Sequence, residues 1–161
     1  MDSKEAHHWL LYSYGTFMVA WSVFDTVLMM VIRRENGLNA QDTIAKLSPL
    51  ETGLKIREAR NALSRKPENA KAIALIEEIE KFANGNALVH GAVFTGSHVL
   101  EFVKRDRKSP LDMPLSRTFD VNSFKKLLIE VNSRVNELHS CLGITENDIL
   151  AFGEEFKRAY P

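Results

Sequence analysis

An asparagine and a histidine four residues apart, near the close of a helical pattern, are the pair in this sequence with the clearest chemical use. They stand in NGNALVHG, residues 84–91, as Asn86 and His90. Four-residue spacing puts both on one helix face, where their side chains can meet. The imidazole is the side chain that ordinarily titrates near neutral pH, which suits it to acid–base work. Three readings stand open for His90: a satisfied core residue, a cap favoured by the helix dipole at a C-terminus, or a functional group. A second chemical feature is Asp25. From 9 to 32 it is the one side chain expected to carry charge. A carboxylate in so apolar a helix is costly unless it is paired or hydrogen-bonded. A third is the basic run Lys104, Arg105, Asp106, Arg107 and Lys108, with Arg117, near Phe102. It can meet RNA phosphates or serve as a solvated charged loop. His7 and His8, near the terminus, read as solvated before they read as metal ligands. There is no Gly-rich phosphate loop, no HExxH, no nucleophile elbow and no cysteine–histidine metal set, so no metal or cofactor is expected.

The elements that must position these groups are helical. Helix one is expected over 5–34, with Gly37 at or after its end. Helix two is expected from about 39–42 to 63, with a break at Ser48–Pro49. Helix three follows SRKPEN, with Pro67 at its first position and Glu68 at the positive end of the dipole. Ile73, Ile76 and Ile79 recur along its apolar face, which continues to Asn86 and His90. The segment 92–120 has no helical period. Val99, Leu100, Phe102 and Val103 suggest a strand, Gly96 a turn, and Pro110 and Pro114 a loop. Helix four begins after Asp120 as its cap. Phe124, Leu127, Leu128, Val131, Val135, Leu138 and Leu142 form its stripe, and Gly143 stops it. Thr145 and Asp148 open a short final helix, about 145–159. The fold class expected is all-α: an up-and-down four-helix bundle with an extended or β-hairpin insert before the fourth main helix and a short C-terminal helix. One domain spans 1–161.

Composition narrows the function classes. The chain has 161 residues, 45% apolar and 26% charged, with 21 basic and 21 acidic side chains. Zero net charge supplies no global field toward nucleic acid or anionic lipid. The one cysteine, Cys141, has no intrachain partner, which fits a reducing, cytoplasmic compartment. The N-terminal stretch lacks the layout of a signal peptide. Residues 9–32 are long enough to cross a bilayer, but Asp25 toward the middle and the polar residues at 12–16 argue against a span.

The order of elements, together with NALVHG at the end of the third helix, resembles the HEPN superfamily of helical-bundle proteins, in particular a bacterial branch ending in RNxLxHG. The resemblance covers about residues 8–142. It implies a dimeric four-helix bundle with the motif helices facing across the interface. It also implies metal-independent endoribonuclease chemistry in active members. His90 would then be the acid/base group for attack of a ribose 2′-hydroxyl on the adjacent phosphate. Asn86 would orient the histidine or the phosphate, and Asp25 would orient His90 or form a structural hydrogen bond. The chain departs from the pattern at one place. The arginine that would hold the phosphate is replaced by Gly85. Loss of that cation removes transition-state stabilisation, so the motif is degenerate unless Arg60 or Lys81 substitutes.

The expectation is therefore a HEPN-like homodimer with a degenerate ribonuclease motif. It would bind RNA or a nucleotide through Arg60, Lys104, Arg105 and Arg107, in a toxin–antitoxin, defence or stress system with an antitoxin-like protein partner. The alternatives are an active endoribonuclease that uses His90, and a purely structural or protein-interaction bundle.

Overall fold

The computed structural model describes residues 2–82, 88, 92–96, 98–105 and 114–159. Among them the chain is predominantly helical, with six α-helices and one small sheet. The helices are α1 (Ser3–Asn36), α2 (Ala40–Leu47), α3 (Thr52–Leu63), α4 (Ala70–Phe82), α5 (Val121–Leu142) and α6 (Glu146–Ala159); the strands are β1 (Ala92–Thr95), β2 (Val99–Arg105) and β3 (Pro114–Asp120).

Each boundary has a local cause. Asp2 caps α1, accepting the Glu5 amide at 2.8 Å. Asn39 caps α2 through the Asp42 amide, also 2.8 Å. The expected second helix is two helices, parted at residues 48–51: Pro49 has no amide proton to continue the ladder, and Leu50 closes a turn back onto Leu47. Pro67 starts a single 3-10 turn, 67–69, rather than the α-helix itself. Asp120 caps α5 through the Ser123 amide at 2.7 Å. Thr145 and Asp148 cap α6 reciprocally, at 2.8 and 3.2 Å, as the sequence pattern indicated.

The all-α expectation needs one correction. The insert contains a three-stranded antiparallel sheet in the order β1-β2-β3, not only a hairpin. Strand β3 lies where the two prolines suggested a loop. Its inward positions are Arg117 and Phe119, opposite Phe102 and Leu100 of β2. A charged residue at an inward position breaks the alternation by which a half-buried strand is recognised.

The chain divides into two compact units. The first comprises 1–20 and 79–133 and holds the sheet. Its core is aromatic. Phe102 stacks near Phe119 (5.9 Å between ring centres), Phe124 (6.3 Å) and Tyr14 (5.5 Å), and Phe17 meets Phe124 edge-on at 6.3 Å. Such pairs add to the burial of the rings themselves.

The second unit comprises 21–78 and 134–161. Phe24, Leu28, Ile32, Ile56, Leu63, Ile76, Leu138 and Phe152 are buried in it. Helix α2 packs on α6. Ion pairs Arg134–Glu78 (2.6 Å) and Lys71–Glu137 (3.0 Å) join α4 to α5.

Helix α1 is long and apolar enough to cross a membrane by length and composition, and half of its most apolar window is buried inside the protein.

His139, in the last turn of α5, carries a pH dependence. Burial lowers its pKa below the ordinary imidazole value, and Glu146 offsets this in part. Its Nε2 is buried and has no hydrogen-bond partner among the described residues. A base with a depressed folded pKa favours the unfolded chain once that chain protonates. The contribution is therefore complete above about pH 6.5 and declines as pH falls through that value toward the folded pKa. Thermal unfolding midpoints at pH 7.5 and 5.5 are expected to differ more in the parent than in His139→Gln.

Candidate functional site

Asn86, His90 and Gly85 lie outside the described residues, and so does Arg107. What is described is how the first unit holds the chain just before the motif, at Phe82, and at one residue within it, Leu88. Phe82 ends α4, and its carbonyl accepts a hydrogen bond from Arg117 Nη1 at 3.4 Å. The same guanidinium sits 4.8 Å over the Phe119 ring. A cation is well placed at a helix C-terminus, where the last carbonyls carry partial negative charge. Six residues on, Leu88 is fully buried. Its carbonyl accepts the Tyr14 hydroxyl at 3.3 Å, and burial raises the phenol's pKa.

Tyr14 is the contributor that sequence reasoning missed. In the sequence it is one of several polar residues diluting an apolar run. The usable signal is that a buried tyrosine needs a partner for its hydroxyl. Arg117 was legible only as one more basic residue. Its two-residue offset from Phe119 in a strand is what turns it inward.

Asp25 belongs to the second unit. Its Oδ1 accepts the Thr52 hydroxyl at 2.7 Å, and its Oδ2 accepts Lys55 Nζ at 2.6 Å. The Lys55 side chain is 7% exposed and that of Asp25 is 20% exposed. Thr52 is the first residue of α3, and the Glu51 side chain makes no capping bond there. The carboxylate thus sits at the uncapped, positive end of α3. Both of its oxygens are engaged by that helix, which is the structural hydrogen bond weighed in the sequence against a role toward His90.

Arg60 also lies in the second unit. It forms an ion pair with Glu77 across α3 and α4. Arg60, Arg57, Asn61, Ser64 and Ile73 line a groove of about 320 Å³. The Arg57 side chain is 65% exposed, and among the described residues its one carboxylate contact is a 3.5 Å approach to the adjacent Glu58. Ser64 donates its one hydroxyl proton to the Asn61 backbone carbonyl at 2.9 Å, so the free neutral donor here is the Asn61 side-chain amide, which has no partner among the described residues. Two guanidinium forks beside an amide can hold phosphate oxygens.

Lys104 and Arg105 close β2, in register with Leu115 and Pro114. His7 Nδ1 lies 3.4 Å from the Gly96 carbonyl, and the rings of His7 and His8 are 6.3 Å apart. No group of three or more His, Cys, Asp or Glu among the described residues could hold a metal ion.

Comparison with protein-family models, with curated proteins and with solved structures gives no match for this chain.

Proposed function

We propose that this chain is a HEPN-like helical protein, active as a homodimer, whose ribonuclease motif is degenerate and which binds RNA through its phosphates. The bundle it would form is the four-helix HEPN type, with the sheet as an insertion before α5. One observation carries the binding half of this reading: the groove in which Arg60 is joined by Arg57, Asn61 and Ser64. The guanidinium N–H groups of Arg57 and Arg60 and the Asn61 amide are donors suited to phosphate oxygens, and they do not select a base. The degenerate half rests on Gly85 standing where the resembling motif has its arginine. Tyr12 and Val19, seven residues apart on α1, are 77% and 65% exposed, with Leu11 beside them at 43%. They are apolar surface that a second copy would cover.

The test is retention of a short single-stranded RNA by the intact protein over a salt series. Affinity is expected to fall steeply with salt. Arg57→Gln and Arg60→Gln should each reduce the magnitude of the log–log slope by about 1, with little dependence on RNA sequence. No metal-independent cleavage is expected of the parent, whereas Gly85→Arg should acquire it and His90→Ala should abolish that gain. Cleavage by the parent that His90→Ala stops would make the protein an active endoribonuclease. Absence of RNA retention in a protein that still dimerises would make it an interaction bundle.

A further inference from the structure

We propose that a second site, a cleft in the second unit where α1 and α5 both end beside α6, binds a small anionic amphiphile, with an apolar body of up to three rings and a single acidic headgroup placed on Arg34. The cleft measures about 620 Å³, within the range of pockets that enclose a small molecule. Its shape comes from two abrupt helix ends. Gly37 and Gly143 take positive φ, 62° and 65°, a conformation that glycine adopts without strain. The amides that follow them, Leu38 and Ile144, return to the Arg33 and His139 carbonyls, each at 3.0 Å. The chain therefore leaves both helices sharply, and the space above α6 stays open.

The walls are braced. Arg33 makes a two-pronged pair with Glu155 of α6, 2.5 and 3.0 Å, and lies over the Phe152 ring at 5.9 Å. Arg34 Nη1 donates to the last carbonyl of α5, Leu142, at 2.9 Å. Apolar surface is supplied by Met30, Leu38, Ile144 and Phe152.

The charges decide the ligand class. Arg33 and Glu155 answer one another. Asp148 Oδ2 is engaged by the Thr145 amide and hydroxyl, at 2.8 and 2.6 Å. Arg34 is different. Its Nε reaches Glu35 at 3.1 Å, but Glu35 is shared with Lys66 at 2.9 Å, and the Arg34 side chain is 47% exposed. Among the described residues its Nη2 has no partner. One guanidinium edge with donors to spare, above an apolar floor, suits one carboxylate or sulfonate. The carboxylates of Asp148 and Glu155 on the same rim disfavour a polyanion such as a nucleoside triphosphate.

The probe is anilinonaphthalene sulfonate, titrated into the full chain and followed by fluorescence and by amide chemical shifts. A single saturable site is expected, with the Gly37 and Gly143 amides among those that move. Ala151→Trp, which fills the cleft from α6, should weaken binding at least about tenfold, and Arg34→Gln about tenfold. N-phenyl-1-naphthylamine, which has the same rings without the sulfonate, should bind more weakly and be indifferent to Arg34→Gln. Phe94→Ser, on the outer face of the sheet, should change neither titration. The proposal is overturned by failure of the parent to bind, by affinity that survives Ala151→Trp, or by shift changes confined to the sheet. Equal affinity for the uncharged probe also overturns it. None of these outcomes touches the RNA reading, which rests on a different groove.

Discussion

Asp25→Leu is expected to destabilise the protein by about 3–5 kcal/mol, because it strips a buried ammonium of its counterion. Lys55 is 7% exposed at the side chain, and its Nζ meets Asp25 Oδ2 at 2.6 Å. With the carboxylate gone, Lys55 must either be buried unpaired or pull α3 open to reach water. Thr52 loses its acceptor at the same time, and α3 loses the negative charge at its first turn. Lys55→Met should cost less than Asp25→Leu, since the stranded carboxylate is the more exposed partner and can recover solvent. The double variant Asp25→Leu/Lys55→Met should regain most of the loss, as buried ion pairs replaced by apolar residues of similar volume often do. Urea denaturation of the four proteins closes the cycle. A double variant no more stable than Asp25→Leu alone would show that the pair is not what holds α3. If that same variant keeps full RNA retention, Asp25 is a strut of the fold and takes no part in the binding chemistry.

The second large effect is expected at the other core. Phe102→Ala should cost about 3–5 kcal/mol, the range for emptying a buried aromatic site. Phe102 is fully buried and touches Tyr14, Phe119 and Phe124. The cavity would loosen the three contacts at once, because interiors are close-packed and relax only in part. Phe102→Leu, which keeps more of the volume, should cost distinctly less. The consequence for the motif runs through Tyr14, whose ring packs on Phe102 and whose hydroxyl holds the Leu88 carbonyl. Amide hydrogen exchange at Leu88 should therefore speed up in Phe102→Ala and in Tyr14→Phe alike. A rate at Leu88 unchanged in both would mean that the Tyr14 contact does not limit the opening of this segment.

The two effects also separate what each kind of information carried. Helix positions were largely legible, since an apolar stripe such as Phe124, Leu127, Val131, Val135, Leu138 and Leu142 declares its own period, and caps such as Asp120 and Thr145 with Asp148 act within one turn. Local chemistry decides these features, so a linear sequence contains them. The break between α2 and α3 was half legible: Pro49 marks it, but the extent of the gap depends on what each piece packs against. Strand β3 was hidden because its inward arginine is stabilised in part by a carbonyl from a distant part of the chain, that of Phe82, besides the ring of Phe119 two residues on.

At the candidate sites the residue types could be read from the chain alone: a lone carboxylate in an apolar helix, a histidine four after an asparagine, a glycine where the resembling motif has arginine. It also required that Asp25 find a partner, since an unpaired charge in an apolar helix is too costly to keep. Which partner was a tertiary matter. Lys55 lies thirty residues away, and nothing in the sequence singles it out from the other charged residues of α3; packing brings its ammonium against the carboxylate. The grouping of Arg57 and Arg60 with Asn61 and Ser64, and the brace of Arg33 and Arg34 across three helices, were decided in the same way. Long side chains reach several ångströms in any direction, and only the packed backbone selects which carboxylate, carbonyl or open cleft each one meets.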